Sequence, residues 1–283
     1  MIYIGLFGDI GTGGIVRDIG VVGGSITGKS AVGGLAGWND TGTISNSFAT
    51  DNVSAAQGGA GGLVGSNDGT ITNSYAAGNV SGTVDVGGLV GLNITGTINN
   101  AYATGNVSSS GNDVGGLVGS NYSTGTITNA YATGSVSGTS NVGGLVGSNS
   151  GTINNVYATG KVSGTSKVGA LAGTSDLVVG SSITNGYWDV TTQLPFTPGV
   201  ASSGGNPTGV VGLSTAQLAA ALPWGFSSGA WANAGNQTTP YLLSNASFGN
   251  YSGSVLLGTD TSTTPAQYKV ITSLTQLQNI NST

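Results

Sequence analysis

The sequence predicts an all-β chain wound into a right-handed parallel β-helix, a solenoid of about 26–28 residues per coil with three short strands in each coil. Three observations lead there. The phrase Val-Gly-Gly-Leu-Val-Gly-Ser-Asn stands at Val114–Asn121 and again at Val142–Asn149, with close variants at Val32–Asn39, Ala60–Asn67, Val86–Asn93 and Val168–Ser175. Its central leucines, Leu35, Leu63, Leu89, Leu117, Leu145 and Leu171, recur every 26 or 28 residues, and self-similarity at such a period marks a repeat architecture. Between the phrases the apolar residues come in short runs that alternate with small polar ones and stop at Gly or Asn, which is strand chemistry bounded by turn chemistry. Finally, length varies only after the phrase-ending Asn and before the next phrase, so those places read as surface turns and the constant spans as stacked rungs.

Taken in order, Ile4-Gly-Leu6-Phe7-Gly8 already matches the phrase, and Ile15 to Gly28 completes a degenerate first coil. A chain that begins in mid-pattern suggests a piece of a longer one. Each following unit has the Gly-Leu-Val-Gly segment, then Gly-Thr-Ile at Ile44, Ile71, Ile98, Ile127 and Ile153, then a short Asn-Val-Ser type segment at Val53, Val80, Val107, Val136 and Val162. The repeat residues with a structural role are the Gly-Leu-x-Gly sets Gly34, Leu35 and Gly37; Gly62, Leu63 and Gly65; Gly88, Leu89 and Gly91; Gly116, Leu117 and Gly119; Gly144, Leu145 and Gly147. Equal positions in stacked coils form ladders. Tyr75, Tyr102, Tyr131, Tyr157 and Tyr187, headed by Phe48, should stack along one corner. Asn73, Asn100, Asn129 and Asn155, flanked by Asn46 and Asn185, suit a buried bend where amides bond each other.

The solenoid is expected over 1–189. Beyond Asp189 the period is lost and 190–250 reads as an irregular, aromatic-rich cap. It holds one helix from Ser214 to Leu222, with Ser214 as N-cap and Pro223 as stop, and Trp224, Phe226, Trp231 and Tyr241 able to cover the open end of the solenoid. Residues 251–283 read as the start of a further module, with a strand at Tyr268–Ile271 and a short helix at Leu274–Leu277.

Composition excludes several functions. Charged residues are 5% of the chain and the net charge is −5, so a basic nucleic-acid groove has nothing to build it. No apolar run reaches the ~18 residues of a membrane span. His and Cys are both zero, which removes Ser-His triads, thiol nucleophiles and the usual zinc sites. Gly23 and Gly28-Lys29-Ser30 match a phosphate-loop spacing, yet a repeat strand follows where a working loop opens a helix.

The repeated phrase, with the Gly-Thr-Ile-Thr-Asn-Ala-Tyr-Ala-Thr-Gly that follows it, resembles the GLUG motif of large secreted bacterial proteins of the filamentous-haemagglutinin and adhesin type. The Gly-Tyr-Trp-Asp ending at Asp189 resembles the end of such repeats. The resemblance implies a secreted or cell-surface stalk that is non-catalytic and binds no cofactor. Its partners would be a surface glycan or protein and the rest of a larger parent chain. No catalytic residue is implied, because the motif's Gly, Leu and Asn are structural.

Parallel β-helices also include polysaccharide lyases and glycosidases, so stacked carboxylates matter. Asp40 and Asp68 share one position in adjacent coils, and Asp85 and Asp113 share another, at a rung spacing near that of a retaining glycosidase pair. They read first as turn residues, then as weak calcium candidates. The column Thr43, Thr70, Thr97, Thr126 and Thr152 is similar to the ice-binding faces of some antifreeze proteins, but the position two residues on alternates between Ser, Thr and Asn and breaks the array. Trp38 replaces a repeat Ser and could stack on a sugar. The variable turns after Asn93 and Asn121, and those before Ala60 and Val114, are the expected contacts with any partner.

Overall fold

The computed structural model describes residues 2–122, 124–176, 181–193, 197–201, 207–233 and 238–245, and the backbone of 256–257, 267–268 and 270–271. The chain winds into a β-solenoid of seven coils whose faces are three parallel sheets. The first sheet stacks seven strands, from Phe7–Ile10 through Val64–Asn67 and Val118–Asn121 to Ala172–Ser175. The second stacks the Thr-Ile strands, among them Thr70–Ala76, Thr97–Ala103, Thr126–Ala132 and Thr152–Ala158. The third carries two pieces per coil, such as Val80–Gly82 and Val86–Gly87.

The segments divide differently from the expectation. The Val-Gly-Gly-Leu-Val-Gly-Ser-Asn phrase is not one strand: Val86–Gly87 belongs to the third sheet and Val90–Asn93 to the first, with the corner at Gly88-Leu89. Glycine is required at that corner for contact, not for an unusual dihedral. A Cβ on Gly116 would lie 2.1 Å from the Gly144 carbonyl oxygen of the next coil, and one on Gly119 would lie 2.5 Å from the Asp85 backbone carbon. Neither neighbour is a side chain that can move aside. The leucine amide and the next amide both bond one leucine carbonyl a coil away, as Leu89 and Val90 do with Leu117. The Leu35, Leu63, Leu89, Leu117 and Leu145 side chains are fully buried, packed with the Ile and Val ladders inside the coil. A second apolar cluster, Val53, Val80, Val107, Val136 and Val162 against Ala60, Val86, Val114 and Val142, fills the space behind the third sheet.

Two asparagine ladders run along the rod, and only one of them was expected. The expected column, Asn46, Asn73, Asn100, Asn129, Asn155 and Asn185, sits at the bend within the second sheet with φ between +48° and +54°. Asn tolerates that left-handed geometry better than other residues with a side chain. Each amide donates back one coil, at 2.9–3.2 Å, ending on the Asp18 carboxylate. These residues are half-buried rather than buried. The buried column is the phrase-ending Asn. Asn39, Asn67, Asn93 and Asn121 each donate forward one coil at 2.8 Å, and Asn149 donates to Ser175. From Asn67 onward the same amides also hold the turn carbonyls of Gly69, Gly96, Gly125 and Gly151.

The aromatic column stacks as expected from Phe48 to Tyr157, with ring centroids 4.8–5.0 Å apart and planes within 7° of parallel. That spacing is the rung spacing of the sheet. Tyr187 also turns an edge to Phe226. Burial, then the charges that neighbouring rings would carry, pushes the Tyr102 and Tyr131 hydroxyls well above the usual phenol range; burial does the same at Tyr157. A raised folded-state value contributes stability that is complete below the unfolded value near pH ~10 and is lost as pH rises beyond it. Tyrosinate absorbance from these three rings is therefore expected only together with loss of β-sheet circular dichroism. Ionisation of the stack in a still-folded rod would contradict this.

Coil hydrogen bonding continues past Asp189: the amides of Ala170 and Leu171 bond Pro198 and Gly199 carbonyls, and Val210–Leu213 pairs with Ser182–Asp189. The helix forms at Thr215–Ala220 with Ser214 as N-cap in a full capping box. Among the described residues, the buried aromatic side chains of this segment lie beside the coils and not over the end of the solenoid. The segment turns back along the flank, against the outward Tyr stack. Phe226, Trp231, Leu218 and Leu242 bury themselves on Tyr157 and Tyr187, and the 3-10 turn Leu243–Asn245 reaches Thr70–Ala76. Farther on, Val270–Ile271 pairs in parallel with Gly20–Val21 of the first coil. The expected helix at Leu274–Leu277 lies outside the described residues.

Candidate functional site

Register alone lines up three columns beside one another. Outward side chains of the first sheet form a floor: Trp38, Ser66, Leu92, Ser120 and Ser148. One wall is the residue after each buried Asn, namely Asp40, Asp68, Ile94, Tyr122 and Ser150. The other wall is the residue before each phrase, namely Ala31, Gly59, Asp85, Asp113, Asn141 and Lys167, where φ is +49° to +66° throughout. The walls and floor make a groove along the rod with two hollows that meet at Asp85.

The larger hollow, about 410 Å³, is lined by Tyr3, Trp38, Gly59, Leu92 and Ile94 with Asp68 and Asp85 at its side. It exists because the wall is low here: Ala31 and Gly59 stand where later coils carry Asp, Asn or Lys. The Trp38 indole is fixed from two sides. Its Nε1 donates to Asp68 Oδ2 at 2.7 Å, and Tyr3 packs on its ring at 5.0 Å. Asp68 is itself held by the Thr95 hydroxyl at 3.1 Å, so it positions the tryptophan. The smaller hollow, about 180 Å³, is polar and lined by Asp85, Asp113, Ser120, Tyr122, Ser148 and Ser150. Ser120 donates to Asp85 Oδ1 at 2.5 Å and Asn141 donates to Asp113 Oδ1 at 2.8 Å. Burial raises the Asp85 carboxyl above its ordinary value; the Ser120 hydrogen bond opposes this, and the neighbouring Asp113 charge adds to it. Burial and the same two carboxylates raise Tyr122.

Of the carboxylates singled out in the sequence, Asp68, Asp85 and Asp113 line these hollows. Asp40 does not, and Asp68 serves Trp38 instead of pairing with it. All four variable turns reach the groove, through Ile94, Tyr122, Gly59 and Asp113. Sequence reasoning missed Tyr3 and Leu92, and marked the turn before Ala60 without the low wall that Gly59 makes there, which writing out the residue before each phrase would have exposed. Neither hollow has a Lys or Arg in its lining. Among the described residues no three His, Cys, Asp or Glu gather as a cation site, and no helix is long and apolar enough to cross a membrane. The phosphate-loop spacing runs from Gly23 into the strand Ser25–Gly33, and the strand Ala36–Asn39 follows where a working loop opens a helix. The Thr ladder is in register on the second sheet, beside a column that alternates Thr and Asn.

In comparison with known proteins, the family model described as the GLUG motif fits residues 28–54, 56–81, 82–108, 110–137 and 138–163. No curated protein and no solved structure matches the chain. The matched units coincide with the register-paired coils, so residues 28–163 of this β-solenoid carry five consecutive matches to the GLUG motif.

Proposed function

We propose that the chain is a structural and adhesive repeat segment of a large secreted or cell-surface bacterial adhesin, and that it is non-catalytic. The observation that carries this reading is the stacking of five coils that match the GLUG motif, joined by backbone bonds and two amide ladders across a weakly charged surface. Such a rod resists local opening, because each strand is bonded on both sides. It suits a spacer that holds a contact surface away from a cell. The groove contributes to contact with a glycan or protein partner. Surface labelling of intact producing cells, with adhesion of a strain lacking residues 28–163, tests this. Labelling and reduced adhesion are expected. A cytosolic protein would overturn the reading, as would release of sugar products from polysaccharide by the purified chain.

A further inference from the structure

We infer that the groove is a binding site for a non-acidic glycan strand lying along the rod, with a sugar ring on Trp38 and the strand's hydroxyl or ammonium donors on Asp85 and Asp113. This deepens the adhesive reading above and rests on it only for the biological setting.

Four features of the groove define the ligand class. Trp38 is an immobilised platform, pinned by Asp68 and flanked by Tyr3, so stacking a pyranose face on it costs little ordering. The larger hollow is bounded by apolar Leu92 and Ile94, which suits the C–H face of a sugar and not a fully hydrated ion. The polar groups beyond it, Asp85 and Asp113, are acceptors whose known partners occupy one oxygen each, which leaves further acceptor capacity for ligand donors. With no Lys or Arg in either lining, a uronate or sulfated sugar would meet only like charge. The hollows follow one another along the stacking direction, where rungs repeat every ~4.8 Å. That direction favours a chain of sugars over a single one.

Gly59 gives the inference a clean test. Its φ of +66° is close to the +52° of Asn141 in the same column, and a Cβ there would meet nothing nearer than 3.3 Å. The 3.3 Å contact is with the Ala31 backbone nitrogen and is tight. Gly59→Asn adds a side chain to the low wall in a conformation that Asn141 already adopts, with circular dichroism as the check that the coil is kept. The experiment titrates the full chain calorimetrically with neutral gluco-, manno- and chito-oligosaccharides, glucosamine oligomers, and polygalacturonate oligomers. Saturable binding is expected for at least one neutral or amine-bearing oligomer and none for the uronates. Trp38→Ala and Gly59→Asn should each weaken binding about tenfold or more, with unchanged circular dichroism. Loss of affinity for glucosamine oligomers in Asp85→Asn with Asp113→Asn, accompanied by loss of salt dependence, identifies ammonium as the donor. A small effect, about twofold, identifies hydroxyls. Equal binding of uronates, full affinity in Gly59→Asn, or no binding to any non-acidic oligomer overturns the inference. The last result leaves the surface location of the protein to be judged by cell labelling.

Discussion

Replacing Trp231 with alanine is expected to detach the returning segment from the flank of the rod, at a cost of about 3–5 kcal/mol to that segment. Trp231 is 1% exposed. Its ring stacks on Phe226 at 4.4 Å and tilts over Tyr131 and Tyr157 at 6.0 and 5.9 Å, while its Nε1 donates to Asn129 Oδ1 at 3.2 Å. Truncation removes the side chain that joins the segment's own cluster to the tyrosine stack. The remaining links are the smaller side chains Phe226, Leu218 and Leu242 on Tyr157 and Tyr187, with single phenol hydrogen bonds from Tyr157 to the Pro240 carbonyl and from Tyr187 to the Trp224 carbonyl. Limited proteolysis under mild denaturant should then cut within 207–245 while far-ultraviolet sheet signal persists. Wild-type protease resistance in the variant would show that the segment holds without this anchor.

The second large effect is expected inside the coil. Asn121→Leu removes one member of the buried amide ladder, close in size to the residue that replaces it. It strands the Asn93 Nδ2 hydrogen that pointed to Asn121 and takes one donor each from Asn149 Oδ1 and the Gly125 turn carbonyl. Buried groups left unpaired cost about 1–3 kcal/mol each. Asn149 Oδ1 keeps the Gly151 amide and the Gly125 carbonyl keeps the Thr152 amide, so the unpaired Asn93 hydrogen sets the cost, about 1–3 kcal/mol. Chemical denaturation should show it as a lowered midpoint. A midpoint equal to wild type would mean that the ladder adds nothing beyond filled volume. The protein already shows how such a ladder stops: at the first coil Ile10 pairs with Asn39, and Asn39 Oδ1 is left buried without a partner.

Period and turn chemistry made the coils, the three faces and the Tyr stack legible, because stacking converts equal sequence positions into neighbours. Two things stayed hidden for physical reasons. Which asparagine column is buried depends on where the chain bends. Both columns follow short apolar runs, so composition does not distinguish them. The path of 207–245 depends on tertiary contact between aromatics far apart in sequence, Trp231 with Tyr131 for example, and no local pattern encodes it. The groove was half legible. Trp38, Asp68, Asp85 and Asp113 stood out as residues, but the hollow they border comes from what Ala31 and Gly59 lack.

The two amide ladders point in opposite directions: inner amides donate toward the C-terminal coil, outer ones toward the N-terminal coil. Backbone donors alternate similarly, Leu89 bonding forward to Leu117 and Tyr122 bonding back to Asn93. An α-helix adds its peptide dipoles and accumulates about half a charge at each end. Here each added coil contributes opposed dipoles that largely cancel. The ends of the rod therefore carry little electrostatic penalty however many coils lie between them. Copy number of the repeat is free to drift without changing the field that either end presents to its neighbour.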